Sequence, residues 1–329
     1  MRKIAVLDTS IMSFNIGDQI IMESARKGLE AILEDAFVVN MPTHSPLFRF
    51  YEFSLRGKDS FKPNLDAIDL KFVCGTNLLE KNMKKRKNTW NIHMGDLHYF
   101  KDFILVGVGT DGLPAVANNY TKKFYQKALS SDYIHSTRDE ETKEFLESIG
   151  IKAINTGCPT IWGLTKEHCS FIPKDKKNNV VFTVTDYKPD ISKDRIMIDI
   201  LCKNYTNVYC WIQGSQDIDY LNTLGIDILH SDKIKMISPS LDAYNKFLDN
   251  VECDFVGTRL HAGIKAMQKY KRAIIIGVDN RARAMNIDYN FNFIEREEIE
   301  KLEDMVNTSF STEINLNERN IKAFLQQFN

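Results

Sequence analysis

Arg259 and His261 stand two residues apart in the stretch Val256-Gly257-Thr258-Arg259-Leu260-His261-Ala262-Gly263. An arginine carries a permanent charge on a planar donor fork that matches a carboxylate or a phosphate. A histidine takes up and releases a proton near neutral pH. Two residues apart at one turn, they would make an anion site with acid–base capacity. Residues 254–256 read as the end of a strand and residues 264–267 as a helix, so the stretch is a strand-to-helix turn pivoting on Gly257. In open α/β sheets ligands gather at the carboxyl ends of strands, and unpaired N–H groups at a helix start favour anions. The same residues admit a plainer reading, in which Arg259 answers a structural carboxylate and His261 is a satisfied core histidine.

Other turns carry the same kind of residue. In Ser136-Thr137-Arg138-Asp139 a strand again runs into a helix. Acidic residues in a helix's first turn are explained by the helix dipole; Arg138, just before it, is not. Val278-Asp279-Asn280-Arg281-Ala282-Arg283 is a third strand-to-helix turn with paired cations. Near the start, Asn15, Gly17 and Asp18 sit between a strand and a helix, at a strand's carboxyl end or as a helix cap. Gly107, Gly109 and Gly112 fit GxGxxG, but Pro114 follows at once and the pattern lies far from the first strand. That context argues against a dinucleotide fingerprint and for a tight turn.

Short apolar runs alternate with amphipathic segments along the whole chain. Runs at 4–7, 36–39, 70–74, 103–106, 133–137 and 151–154 read as strands, with helices expected near 19–33, 118–129 and 141–148. The polar, proline-led segment 173–179 reads as a linker. After it, strands are expected at 180–184, 208–212, 227–229, 254–256 and 273–277, with helices at 191–203, 216–224 and 241–250 and two more in the tail after 295. Such alternation implies mostly parallel sheets with right-handed crossovers. The expected architecture is α/β, with two Rossmann-like domains, 1–172 and 173–329, facing across a cleft, and terminal helices crossing back to the first. Segment 43–62 is irregular and rich in aromatics; 81–87 carries five basic residues, read as a solvated loop face.

With 43% hydrophobic and 26% charged residues and a formal net charge of −1, the chain has an ordinary globular composition. Near-neutrality gives no general attraction to nucleic acid or to an anionic membrane. The apolar run at the start is too short for a signal-peptide core, and no run approaches the roughly 20 residues of a membrane-spanning helix. The six cysteines form no CxxC pair. The expectation is a cytoplasmic protein with reduced thiols and no metal site, and at most peripheral contact with the inner face of a membrane.

Taken together, Asn15-Ile16-Gly17-Asp18, Ser136-Thr137-Arg138-Asp139, Thr156-Gly157-Cys158-Pro159-Thr160, Gly257-Thr258-Arg259-Leu260-His261-Ala262 and Asp279-Asn280-Arg281 resemble the polysaccharide pyruvyl transferase family in order and spacing. The resemblance implies a glycosyltransferase-like fold of the B type (GT-B). It implies phosphoenolpyruvate as donor substrate and a sugar as acceptor, lipid-linked, nucleotide-linked or polymeric, joined as a ketal with no metal and no other cofactor. By motif, Arg138, Arg259 and the Leu260 main chain would hold phosphoenolpyruvate, and His261 would transfer a proton. Asn15, Gly17, Asp18, Asn280 and Arg281 would complete substrate binding. Segments 43–62 and 81–98 match nothing in the family. A GT-B-type glycosyltransferase using a nucleotide sugar, or a non-catalytic ligand-binding relative, are the alternatives.

Overall fold

A computed structural model describes residues 1–46, 65, 67–85, 90–110, 116–225 and 233–329. Most of the aromatic segment 43–62, part of the basic run 81–87, Gly112 and the strand expected at 227–229 lie outside the described residues. The chain divides into two compact units. The first comprises Met1–Ser13, Ile21–Trp162 and Asn317–Asn329; the second comprises Phe14–Ile20 and Gly163–Leu316. Residues 14–20, which sequence continuity assigns to the first half, are thus grouped with the second. The terminal helix is grouped with the first.

The first unit is built on a parallel sheet of β1 (Arg2–Asp8), β2 (Ala36–Pro42), β3 (Leu70–Cys74) and β5 (Ile104–Val106), in the order β2-β1-β3-β5. Two short parallel pairs join β4 (Asn77–Leu79) to β6 (Gly109–Thr110), and β7 (His135–Thr137) to β8 (Ala153–Asn155). Residues 4–7 of β1, β3 apart from Lys71, and all of β5 are apolar because both faces are covered. One face joins the core that includes Trp90, Phe103, Phe124 and Leu146; on the other, Ile4 and Phe72 pack with Phe324 and Phe328. The last two belong to the chain's end, where Phe328 meets Phe72 edge to face at 5.1 Å. Helix α1 (Ile16–Gly28) is followed by α2 (Glu30–Leu33), α3 (Asn119–Ala128) and α4 (Glu140–Ser148). Asn118 caps α3 and Asp139 caps α4, each side chain accepting a first-turn N–H.

The second unit carries a six-stranded, all-parallel sheet. Its strands are β9 (Asn179–Thr183), β10 (Asn207–Trp211), β11 (Ile234–Ile237), β12 (Cys253–Gly257), β13 (Ala273–Gly277) and β14 (Phe293–Glu295). The order is β11-β10-β9-β12-β13-β14. Counted from β9 this is 3-2-1-4-5-6, the doubly wound dinucleotide-type order. The helices are α5 (Lys166–Ser170), α6 (Ile191–Asn204), α7 (Asp217–Thr223), α8 (Leu241–Asn250), α9 (Leu260–Gln268), α10 (Asn280–Tyr289) and α11 (Leu302–Asn307), with α12 (Glu318–Gln326) returning to the first unit. At the amino end of β12 a buried pair, Arg272 Nη1 to Asp254 Oδ2 at 2.7 Å, is joined by Tyr205. Arg272 Nη2 donates to the carbonyls of Met305, Val306 and Thr308, fastening α11 to the sheet. Among the described residues no helix is long and apolar enough to cross a membrane.

Candidate functional site

The strand order of the second unit reverses between β9 and β12, and a crevice forms at the carboxyl ends of such neighbours. Here the two strands leave no room for a side chain at their ends. Gly257 pairs with Thr183 in the parallel register, and a Cβ at Gly257 would collide with the Thr183 hydroxyl. Glycine is therefore required by packing at this pivot. The Thr183 hydroxyl accepts from Arg259 N at 3.2 Å, and the Thr185 and Thr258 hydroxyls meet at 2.8 Å, so hydroxyls stitch the two strand ends together.

Arg259 leaves this junction with its side chain buried and its fork engaged. Nε donates to Asp217 Oδ2 at 3.0 Å and to the Val184 carbonyl at 3.2 Å. Nη2 donates to Asp186 Oδ1 at 2.6 Å and to Asp217 Oδ1; Nη1 takes no part in these contacts. Asp217 also accepts from the main-chain N of Gly214 at 2.7 Å and of Asp186 at 3.1 Å, so one carboxylate holds the cation and two loops. Burial pushes the Asp217 carboxyl above its usual range, against the pull of Arg259. Gly214 has no room for a side chain, because a Cβ there would strike Arg259 Nη2. The plain alternative for Arg259, a cation answering a carboxylate, thus describes the Nε and Nη2 side of its fork.

A second cation stands one strand along. Asp279, following β13, caps α10 by accepting from Ala282 N. Its other carboxylate oxygen accepts from Arg281 Nη2 at 3.1 Å and from the Tyr187 hydroxyl at 2.8 Å. Arg281 Nη2 also donates to that hydroxyl at 2.9 Å. Burial would lower the Arg281 pKa, but Asp279, Tyr187 and Asp18 carry it above its ordinary value, so the charge is permanent. The Tyr187 ring lies under the Arg259 guanidinium, 5.0 Å from ring centre to Cζ. Asn280, the first residue of α10, is exposed.

The segment Phe14–Ile20 is fixed to the same edge. Asn15 forms an antiparallel bridge with Gly214, Ser215 N donates to the Phe14 carbonyl at 3.0 Å, and Ile16 N donates to the Gln213 carbonyl at 2.9 Å. Asn15 Oδ1 accepts from Gly17 N and from Gln213 Nε2, each at 3.0 Å. Asn15 is therefore both helix cap and latch. Gly17 sits where a Cβ would press on Gln213 Nε2 at 2.8 Å. Asp18 is buried, and its charge acts on Arg281.

Leu260 and His261 open α9 and are both buried. No side chain caps this helix start. Its first turn is held instead by Tyr244, whose hydroxyl donates to the Ala262 carbonyl at 3.0 Å and whose ring stacks on Trp211 at 4.0 Å. The aromatic pair thus anchors the turn that carries His261. Among the described residues no group of three or more His, Cys, Asp or Glu side chains is arranged to hold a metal ion.

Arg138 belongs to the first unit, and its surroundings echo those of Arg259. It is buried, with Nε and Nη2 each 2.9 Å from Asp139 Oδ2 and Nη1 donating to Asn77 Oδ1. Its main-chain N donates to the Val108 carbonyl at 3.1 Å. A Cβ at Gly109 would collide with the guanidinium. Gly109, part of the GxGxxG pattern in the sequence, makes space for a cation. Beside it, His135 is fully buried, with Nε2 3.0 Å from the Ser130 carbonyl and Nδ1 accepting from Leu105 N at 3.3 Å. Burial lowers its pKa to about 4, which keeps the ring neutral.

The sequence matches the model of the polysaccharide pyruvyl transferases, a family of transferases, over residues 15–280. The chain belongs to the polysaccharide pyruvyl transferase family. The matched span begins at the Asn15 latch and ends at the start of α10, taking in Arg138, Arg259 and His261. No curated protein matches the chain. Solved structures that resemble this pyruvyl transferase family member include the UDP-GlcNAc 2-epimerase of Neisseria meningitidis bound to UDP-GlcNAc, with a TM-score of 0.54, 14% identity and coverage of 99% of each chain. The UDP-GlcNAc 2-epimerase of Methanocaldococcus jannaschii, in complex with UDP-GlcNAc and UDP, gives 0.53 with 14% identity and 99% of each chain covered. The S. aureus MnaA–UDP co-structure gives 0.52 with 11% identity, over 98% of this chain and 94% of that one. At such identities the likeness shows the fold, which is GT-B-like.

Of the residues singled out from the sequence, Asn15, Gly17, Asp18, Arg259, Leu260, His261, Asn280 and Arg281 all belong to the second unit, and Arg138 to the first. Sequence reasoning missed Asp186, Tyr187 and Asp217. For Asp186 and Tyr187 a signal was present, since both lie in the loop just after β9, at a strand end where ligands collect; Asp217 lies further on, in the first turn of α7.

Proposed function

We propose that this protein moves a pyruvyl group from phosphoenolpyruvate to a pair of hydroxyls on a sugar of a cell-surface polysaccharide or its precursor, closing a ketal. Family membership supports the reaction class. The observation that carries the donor is the pair of cations, Arg259 and Arg281, linked through Tyr187 beside a helix start that no side chain caps. Phosphoenolpyruvate presents a carboxylate and a phosphate, and two guanidinium groups with helix N–H donors suit such a dianion.

In this reading His261 delivers a proton to the methylene carbon. The carbon bearing the phosphate becomes oxocarbenium-like, and the first sugar hydroxyl adds to it. The carbon–oxygen bond to phosphate breaks, and the second hydroxyl closes the ketal. One hydroxyl proton restores the histidine and the other leaves with phosphate, so one phosphate is released per ketal formed. General acid catalysis of this kind is worth roughly 10²- to 10⁴-fold.

Thermal unfolding in the presence of ligands tests the donor. A ligand at 100 times its Kd stabilises the state it binds by about 2.7 kcal/mol. Phosphoenolpyruvate is expected to raise the unfolding temperature of the protein. Protection by UDP-GlcNAc with none by phosphoenolpyruvate would instead point to a nucleotide-sugar enzyme.

A further inference from the structure

Tyr187 appears in none of the sequence motifs, yet three features meet on it. Its ring lies under the Arg259 guanidinium. Its hydroxyl donates to Asp279 Oδ2 and accepts from Arg281 Nη2. It stays 46% exposed although both its ring and its hydroxyl are engaged, so ligand has access to the place where it joins the cations. The Arg281 Nε–H is buried and has no hydrogen-bond partner among the described residues. A buried donor left unmade costs about 1–3 kcal/mol, and in a binding site a ligand oxygen is the natural group to satisfy it.

We infer that Tyr187 is a positioning residue that ties Arg259 and Arg281 into one anion-binding unit, in which Arg281 Nε–H is the donor reserved for a carboxylate or phosphate oxygen of the ligand. The ring keeps the Arg259 guanidinium from swinging outward by covering its face. The hydroxyl fixes Nη2 of Arg281, which orients the plane of the guanidinium and aims Nε. The identification of that ligand as phosphoenolpyruvate rests on the function proposed above; the tyrosine's role does not.

Calorimetric titration of the full-length protein with inorganic phosphate and, separately, with phosphoenolpyruvate tests this, using wild type, Tyr187→Phe, Tyr187→Leu and Arg281→Lys. Tyr187→Phe keeps the ring and loses the hydroxyl. It is expected to weaken both ligands about tenfold, the scale of one hydrogen bond to a charged group, while the unfolding temperature of the free protein stays near that of wild type. Tyr187→Leu should weaken them further, and Tyr187→Phe combined with Arg281→Lys should lose little beyond Arg281→Lys alone, because both act on one guanidinium. Unchanged affinity in Tyr187→Phe, or losses that simply add in the double variant, would overturn the inference. If wild type binds phosphate and not phosphoenolpyruvate, the donor assignment fails and the tyrosine is still scored on phosphate. If wild type binds neither, both ideas fall.

Discussion

Replacing Asp217 by asparagine removes the charge that faces Arg259 while keeping the side chain's shape. The carboxylate is buried, engages Nε and Nη2 of the guanidinium, and accepts two main-chain N–H groups from different loops. Removing one partner of a buried ion pair costs about 3–5 kcal/mol. Asparagine keeps one acceptor oxygen and Asp186 still answers Nη2, which places the expected loss near the lower end, about 3 kcal/mol. At about 2–4 °C per kcal/mol for a unit of this size, the unfolding temperature should fall by roughly 6–12 °C. Scanning calorimetry at pH 7 reads this directly. A fall of under about 2 °C would refute the reasoning, since it would mean the pair is loosely held or solvent-screened. The pair also costs much to bury, as the upward push on the Asp217 carboxyl shows. Substituting both members together, Asp217→Asn with Arg259→Met, should therefore recover part of the stability lost in Asp217→Asn alone, because no unpaired guanidinium is left buried and the asparagine oxygen still accepts from the main chain. Such a variant should fold and bind no anion. That outcome would identify the pair as kept for ligand recognition and not for stability.

Two further predictions concern the first unit. Burial holds His135 near pKa 4 against an ordinary value of 6.5. The folded state thus keeps the ring neutral where the unfolded chain would protonate it, giving stability that is full above pH 6.5 and lost as pH falls toward 4. The full shift amounts to about 3 kcal/mol. Urea unfolding of wild type at pH 7 and pH 4.5 should show this slope, and His135→Gln should flatten it; identical slopes would contradict the assignment. Gly109→Ala should lose about 1–3 kcal/mol, because the added methyl collides with the Arg138 guanidinium. Gly95→Ala, where a Cβ meets nothing within 4 Å, should leave the unfolding temperature unmoved in the same measurement.

The alternation of apolar runs and amphipathic segments was enough to find the sheet strands that are buried on both faces. The runs at 180–184, 208–212 and 273–277 fall on β9, β10 and β13, and the helix at 241–250 has the observed bounds. Strands of marginal apolar content were harder to read. The strand β14, Phe293–Glu295, is three residues long and one-sided in burial, and carries too little pattern to stand out from the loop around it. Strand order is also invisible in such patterns. That β9 and β12, more than seventy residues apart, lie side by side is what places Thr183 and Asp186 against Arg259. The cations were legible because an arginine at a strand end has no local helix role to explain it. Their partners were not, since Asp217 in the first turn of α7 reads as an ordinary dipole-stabilising residue. Chain order likewise hides the attachment of residues 14–20 to the second unit, which depends on the bridge from Asn15 to Gly214.

The central claim is that an imidazole on the first turn of α9 serves pyruvyl transfer from a donor held by arginines. Its most direct test is incubation of the protein with phosphoenolpyruvate and a panel of free, nucleotide-linked and lipid-linked sugars. Phosphate release and the mass of the sugar are followed for wild type and His261→Ala. Wild type should release phosphate only with acceptor present, with a matching gain of one pyruvyl group on the sugar, slowed about 10²- to 10⁴-fold in a His261→Ala variant that remains folded. Turnover in that variant at the wild-type rate, its only loss being thermal stability, would return His261 to the core and contradict the mechanism.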